Sequence, residues 1–320
     1  MIKIFRSNGI GQFVIFAIVA LLLWGRSFIV PPTPVEYGGF SPIYEWLYRL
    51  MMGHEHAATV LAFVLVIVEG LWMSNLLYNY KIIAQNSVLP ALIYVVMMGF
   101  DSAAQTLTPH LIVNGIILFF LDRVMLLGVP NMHNNNIFDA SAAVALAAMV
   151  HTPSLALIVP LFAVLIMYKQ YSWRDWTVML LGFMAPLIIM AVVLYIREDF
   201  GHAIFLLDYD LTSFKMDMGK GTTYQMVSCG LVMLGLLVSL MMYPSTTSDL
   251  AADSKKDAAI LTMMLIYAAT QLFYSHLYPV DTQLIAPTFA FLFNGFLIGG
   301  RRRTWIYDLS LITFIVLAII

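Results

Sequence analysis

Three residues of this sequence carry side chains that could do chemistry together. Glu36 follows a proline-rich turn, Asp101 ends an apolar run, and His110 begins the next apolar run. Two carboxylates and an imidazole could supply a general base and partners for a metal ion or a phosphate. Their spacing matches no known ligand motif. The sequence therefore also allows a plainer interpretation, in which all three cap helix ends and meet water.

Glu69 is a fourth candidate, because it lies in the middle of an apolar run. An ionisable group inside the hydrocarbon region of a membrane is costly and usually faces a cavity or a partner. Glu69 could bind a proton or a substrate, or it could hydrogen-bond to a neighbouring helix. The sequence favours neither interpretation and names no partner for this carboxyl group.

A metal site and a nucleotide site are not expected. His54-Glu55-His56 suggests zinc, but positions i and i+2 of a helix point to different faces, and no third ligand follows at a usual spacing. A glycine-rich phosphate loop and a nucleophile elbow are both absent from the sequence. The cofactor, if there is one, stays unknown.

The composition is that of a membrane protein. Of the 320 residues, 61% are hydrophobic and only 11% are charged, whereas soluble domains carry about 25% charged residues. Lipid must cover much of that apolar surface. A net charge of -2, with Arg301 to Arg303 as the one basic tract, argues against a nucleic-acid partner. We therefore expect residues 1–320 to form a single integral membrane domain.

The apolar runs predict an all-α bundle of about 11 spans, since about 20 helical residues cross a hydrocarbon core about 30 Å thick. The third, fifth and sixth runs are short, so these helices are expected to be tilted, broken or partly covered by neighbours. The excess of Lys and Arg in alternate loops predicts a cytoplasmic N-terminus. The predicted spans lie near 12–30, 57–79, 88–100, 109–128, 137–151, 154–169, 176–196, 226–243, 258–277, 280–299 and 304–320.

Two outer loops are long enough to hold structure. In the first, Ser41-Pro42 has the residue types of a helix start, and Ile43, Trp46, Leu47, Leu50 and Met51 then form an apolar face opposite Glu45 and Arg49. This pattern predicts an interfacial helix from Ser41 to about Met52. The second outer loop, Arg197 to Gln225, mixes charged and apolar residues.

His151, at the tip of the helical hairpin between Asn131 and Trp176, is expected to be a solvated loop residue.

A set of residues in the hairpin and beyond it resembles a known pattern. The set consists of Phe138-Asp139-Ala140, Tyr168, Ser172-Trp173-Arg174-Asp175-Trp176, Gly182-Phe183 and Pro186. It resembles a bacterial family of multi-span proteins that is known only as a domain of unknown function. The resemblance covers most of the chain. It implies a multi-pass protein of the inner membrane in bacteria with an outer membrane, and it supplies no catalytic residues.

The architecture is also similar to that of membrane glycosyltransferases that use polyprenyl-phosphate sugars. In those enzymes an acidic residue just after the first span activates the acceptor, and Glu36 stands in that place, with Glu45 as a second possibility. The similarity implies a role in cell-envelope biogenesis, on a polyprenyl-phosphate-linked substrate at the outer leaflet. This chain departs from the pattern, because those enzymes often carry an Asp-Glu or Glu-x pair and a larger outer domain. The alternatives are a non-catalytic subunit of a membrane complex and a small-solute transporter.

Overall fold

The computed structural model describes residues 10–83, 87–100, 105–128, 133–168, 172–212, 283–299 and 304–319, together with residues 230, 232, 234–241, 260, 264, 265 and 267. Helices dominate these residues and no strand occurs among them, which confirms the all-α class. The helices that can be bounded are α1 (Gly11–Ile29), α2 (Pro42–Met51), α3 (Glu55–Asn79), α4 (Leu89–Met98), α5 (Pro109–Met125), α6 (His133–Val150), α7 (Ile158–Met167), α8 (Trp173–Ile196), α9 (Phe200–Thr212), α10 (Ala286–Gly299) and α11 (Thr304–Ile319).

Three of these helices, α1, α3 and α8, are long and apolar enough to cross a membrane. The outer faces of all three carry large apolar side chains that no other part of the described chain covers. Lipid would cover them in a bilayer. The chain is therefore treated as a membrane protein, while the span count and the cytoplasmic N-terminus stay predictions.

The short helix α4 lies at the centre of the bundle. All ten of its residues are buried, and helices α1, α3, α10 and α11 pack around it. Ten helical residues reach only about 15 Å, which is half of a hydrocarbon core. The short third run thus corresponds to a helix that protein, rather than lipid, surrounds on every side.

Polar side chains from neighbouring segments hydrogen-bond to backbone groups at both ends of α4. The backbone N–H of Val88 donates to Gln12 Oε1 over 3.2 Å, and the N–H of Ala91 donates to Ser74 Oγ over 2.9 Å. At the other end, Gln105 donates to the carbonyl just after the last turn. An unsatisfied backbone group costs several kcal/mol in hydrocarbon. These bonds are what allow a short helix to end inside the bundle.

Helices α6 and α8 pack closely along the hairpin. Ser172 and Asp175 form a capping box that starts α8. Further along α8, Gly182 lies against the backbone of Phe138 and the side chain of Ser141 in α6. Because glycine has no Cβ, the two helix backbones can approach here more closely than larger residues would allow.

A helix, α2, lies where the interfacial helix was predicted, with Pro42 in its first turn, while its position in the interface stays a prediction. Tyr44 is buried, and its hydroxyl donates to the carbonyl oxygen of Leu107 over 3.0 Å. Burial raises the pKa of this hydroxyl above its ordinary value, so Tyr44 remains a donor. Trp46 and Leu50 are 54% and 52% exposed, because the Tyr44 contact turns them away from the protein.

Candidate functional site

A cluster of aromatic rings lies where α6 ends. The His110 ring centroid, at the start of α5, is 4.8 Å from that of His151, and Tyr37 packs edge-on against His151 at 5.4 Å. His151 Nδ1 lies 3.0 Å from Ser154 Oγ. Both histidines are buried. The prediction that His151 is a solvated loop residue is therefore wrong, because the Tyr37 segment and α5 cover the tip. We call this part of the molecule the His151 end.

The structure brings two of the three predicted catalytic residues to the His151 end. Glu36 is exposed and immediately precedes Tyr37, the residue that packs on His151. His110 is buried in the ring cluster rather than open to solvent. Asp101 lies outside the described residues. Whether these three side chains share one cleft therefore stays a prediction.

Helix α9 contributes a carboxylate that the sequence did not single out. Phe200–Thr212 is helical, although the sequence suggested a mixed loop there. Asp210 Oδ2 accepts from the Phe40 N–H over 2.8 Å and from Thr152 Oγ1 over 2.8 Å. A Cβ on Gly39 would lie 2.5 Å from the Asp210 carboxylate oxygens. The absence of a side chain at this position lets α9 hold the Glu36 loop against the α6 tip.

A cavity of about 420 Å³ opens beside this contact, between α2, the end of α8 and the start of α9. Its charged or titratable lining residues are Glu45, Arg49, Arg197, Asp199 and His202. Its apolar wall comes from α2, α8 and α9, with Trp46 contributed by α2. The apolar and backbone lining residues are Phe40, Ser41, Pro42, Ile43, Trp46, Met190, Val193, Leu194, Ala203 and Leu206.

The turn between α8 and α9 gives the cavity its shape. Glu198 adopts a φ of 62°, which is the left-handed region, and the next N–H, that of Asp199, bonds back to the Leu194 carbonyl. This turn folds α9 back beside α8 and brings Arg197 and His202 to one opening. The sequence gives no signal for it, because left-handed backbone is uncommon at glutamate.

Two of the charged side chains at the cavity form an exposed ion pair. Arg49 Nη2 lies 2.5 Å from Glu45 Oε1, one helical turn away, and both side chains are more than half exposed. Exposed pairs of this kind contribute little to stability, about 0.3–0.5 kcal/mol. An incoming phosphate could therefore take the guanidinium group at small cost. Guanidinium groups bind phosphate through two parallel hydrogen bonds.

A second group of polar side chains lies inside the bundle. Glu69 is buried, and its Oε2 lies 2.5 Å from the Tyr94 hydroxyl. Asn114 of α5 lies beside Tyr94, and its Nδ2 donates to the Gln283 carbonyl over 2.9 Å. The side chain of Gln283 accepts from Thr108 Oγ1 over 3.0 Å. A line of buried polar side chains thus runs from mid-α3 to the start of α5.

Comparisons of the chain with protein-family models, with curated proteins and with solved structures found no match. The two resemblances drawn from sequence motifs and architecture therefore stay predictions. What the protein does must be argued from the geometry of the cavity and of the buried polar line.

The two features suit different chemistry. The cavity combines two arginines and two carboxylates with an apolar wall, and its guanidinium groups suit the phosphate headgroup of an amphiphile. The buried line contains one ionisable carboxyl group and fits proton binding. Within the described ranges, no group of three or more His, Cys, Asp or Glu residues is arranged to hold a metal ion.

Proposed function

We propose that this chain is a multi-pass protein of the bacterial inner membrane that handles a phosphate-bearing, lipid-linked substrate at the outer leaflet. Its role would lie in cell-envelope biogenesis, of the kind that polyprenyl-phosphate-dependent glycosyltransferases perform. The observation that carries the proposal is the cavity between α2, α8 and α9. There, Arg49 and Arg197 line an opening together with Glu45 and Asp199, and the membrane-length helix α8 contributes part of the apolar wall.

The position of the cavity fits a lipid phosphate. Arg197 directly follows the last turn of α8, and the end of a membrane-length helix lies at headgroup depth. Met190, Val193 and Leu194 line the cavity one to two turns earlier. A volume of about 420 Å³ suits a headgroup and the first carbons of a lipid chain. The rest of that lipid chain would run along α8, whose apolar surface is largely exposed.

We expect Arg197→Gln to weaken the binding of farnesyl phosphate about tenfold or more, since a hydrogen bond to a charged group contributes about 1.5–3 kcal/mol. The measurement is calorimetric titration of the purified protein in detergent micelles. Arg26→Gln is the matched control, because Arg26 is an exposed arginine in the last turn of α1 that does not line the cavity. Farnesol, which lacks the phosphate, should bind weakly to the wild type and to both variants. Equal affinity of the Arg197 and Arg26 variants would refute the phosphate site.

The transfer step would need a proton acceptor, and Glu36 is the candidate. It is exposed to water, and its loop continues to Phe40, which lines the cavity. An ionised carboxylate at this point could take a proton from an acceptor hydroxyl. His110 and Asp101 remain candidates for orienting the substrate.

Glu36→Gln and Asp101→Asn are therefore each expected to abolish complementation of the envelope phenotype that follows deletion of the gene. Amide isosteres keep the size of the side chain, so folding should change by less than about 1 kcal/mol. Protein levels in the membrane fraction, compared with Glu55→Gln, separate lost function from lost folding. Full complementation by both amides would remove these two carboxylates from the mechanism.

Small-solute transport is the second candidate function, and the buried line from Glu69 to Thr108 favours it. Polar and ionisable residues inside a membrane commonly mark substrate or ion pathways. The two functions differ in what Arg197→Gln should do. It should impair a lipid-phosphate enzyme and leave transport through the bundle core unchanged.

A further inference from the structure

The carboxyl group of Glu69 lies at a junction of three helices. Glu69 projects from α3, and Tyr94 of α4 is its polar partner among the described residues. From α5, a Cβ on Gly115 would lie only 2.8 Å from Glu69 Oε1. The carboxyl group therefore occupies the space that a side chain at position 115 would need.

No cation within the described residues neutralises this carboxyl group. Among the described residues, the ion pairs join Arg49 to Glu45, and Arg123 to Asp122 and Asp139. Around Glu69, α4 presents Tyr94 as its titratable group, and α5 presents the neutral Asn114. Other charged groups of the helices packed against α3 lie in their end turns: Arg26 in α1, Glu45 and Arg49 in α2, and Asp122 and Arg123 in α5.

An unpaired buried charge is the costliest group that a protein core can hold. In its neutral form, the carboxyl group carries no charge that needs compensation, and the Tyr94 hydroxyl supplies a hydrogen bond to it. If it loses the proton, the negative charge must be hydrated, and water can reach it only if α5 moves away from α3. Protonation of Glu69 and closure of the junction are therefore linked.

The buried polar line gives that water a route. Asn114 is one helical turn from His110 on α5, and Thr108, which begins the helix, accepts from the Leu111 N–H. Gln283 bridges Asn114 and Thr108 through its carbonyl oxygen and its side chain. These groups can hydrogen-bond to water once the helices separate, whereas an apolar junction would resist wetting.

We propose that Glu69 is an intramembrane proton-binding site and that loss of its proton opens the α3–α4–α5 junction to water from the His151 end. The site is separate from the lipid-phosphate cavity and adds a proton-linked conformational step to the protein. Its proton passes between Glu69 and water that enters along the polar line, so no other reactant is required.

Infrared difference spectroscopy of the full-length protein in lipid nanodiscs tests whether Glu69 binds a proton. The expected result is a C=O stretching band of a protonated, buried carboxyl group that disappears as the pH is raised. Glu69→Gln should abolish this band, and Glu55→Gln, an identical change at the start of the same helix, should leave it unchanged. Absence of the band in the wild-type protein, or its persistence in Glu69→Gln, would overturn the proposal.

Hydrogen exchange of the same samples tests the opening. After correction for the intrinsic effect of pH, protection of the Asn114 and Gly115 amides in the wild type should fall at least about tenfold over the pH range in which the band disappears. Glu69→Gln, which cannot ionise, should stay protected throughout that range. An equal loss of protection in both proteins would contradict the link.

Gly115→Ala keeps the proposal testable if Glu69→Gln does not fold. The added methyl group must displace the end of the flexible Glu69 side chain, so it should shift the carboxyl band without removing it. Gly25→Ala, at a helical glycine with open space around it, should not shift the band. An unshifted band in Gly115→Ala would place the protonated carboxyl group somewhere else and refute the assignment.

Discussion

Gly182→Ala is expected to lower the free energy of unfolding by about 1–3 kcal/mol, the usual cost of overpacking a close contact. A Cβ at this position would lie 2.5 Å from the Phe138 carbonyl oxygen and 3.0 Å from the Phe138 Cα, and it would overlap Ser141 Oγ. Two of these three atoms belong to the α6 backbone and cannot rotate away. The methyl group must therefore push α6 and α8 apart, and Gly182→Val should cost still more.

The measurement is denaturant titration of the purified protein in mixed micelles, with Gly25→Ala as the control. Gly25 lies in the interior of α1, and a Cβ added there would have no atom within 4 Å of it. Both substitutions gain helix propensity, by up to about 1 kcal/mol, so the difference between them isolates the packing term. Equal stability of the two variants would show that α6 and α8 can separate without loss.

Local signals in the sequence were sufficient for most helices. The apolar runs that predicted spans near 12–30, 57–79 and 176–196 correspond to α1, α3 and α8, because helix length follows from uninterrupted apolar sequence. Ser41-Pro42 correctly predicted the start of α2, since proline is favoured in the first turn. These features depend on neighbouring residues only.

The complete burial of α4 could not be predicted in the same way, because its short length also allowed a tilted or broken helix. Its sequence, Leu89–Met98, looks like a short membrane span, and burial by other helices depends on contacts from far along the chain. The Gln12 that satisfies the Val88 N–H is 76 residues away. A hydrophobic run facing lipid and one facing protein have the same composition, since lipid tails are as apolar as leucine.

The residues of the candidate site also differ in whether the sequence could identify them. Glu69 was identifiable because a charged residue is rare inside an apolar run, but Tyr94 is an ordinary residue in an apolar helix and gave no sign of being its partner. Arg197 and His202 lie five residues apart in what looked like a mixed loop. Only the left-handed turn at Glu198 brings them to one cavity, and such a backbone conformation has no reliable signature in glutamate.

Gln105→Leu is expected to lower the free energy of unfolding by about 2–4 kcal/mol, because each buried polar group left unsatisfied costs about 1–3 kcal/mol. The buried Gln105 Nε2 donates to the Gly99 carbonyl over 3.1 Å and to the Leu23 carbonyl over 3.2 Å. Its Oε1 accepts from Ser27 Oγ over 2.5 Å. Leucine of similar size would leave the end of α4 and the Ser27 hydroxyl without these bonds.

A double-mutant cycle with Ser27→Ala separates this loss from a change in packing. In the wild type, Ser27→Ala should cost about 1 kcal/mol or more, because it leaves Gln105 Oε1 without its donor. In the Gln105→Leu background it should cost less or even stabilise, because the serine hydroxyl is then the group without a partner. The same denaturant titration measures all four proteins. Strict additivity would mean that the Ser27–Gln105 bond contributes nothing, and that the end of α4 is held by apolar packing alone.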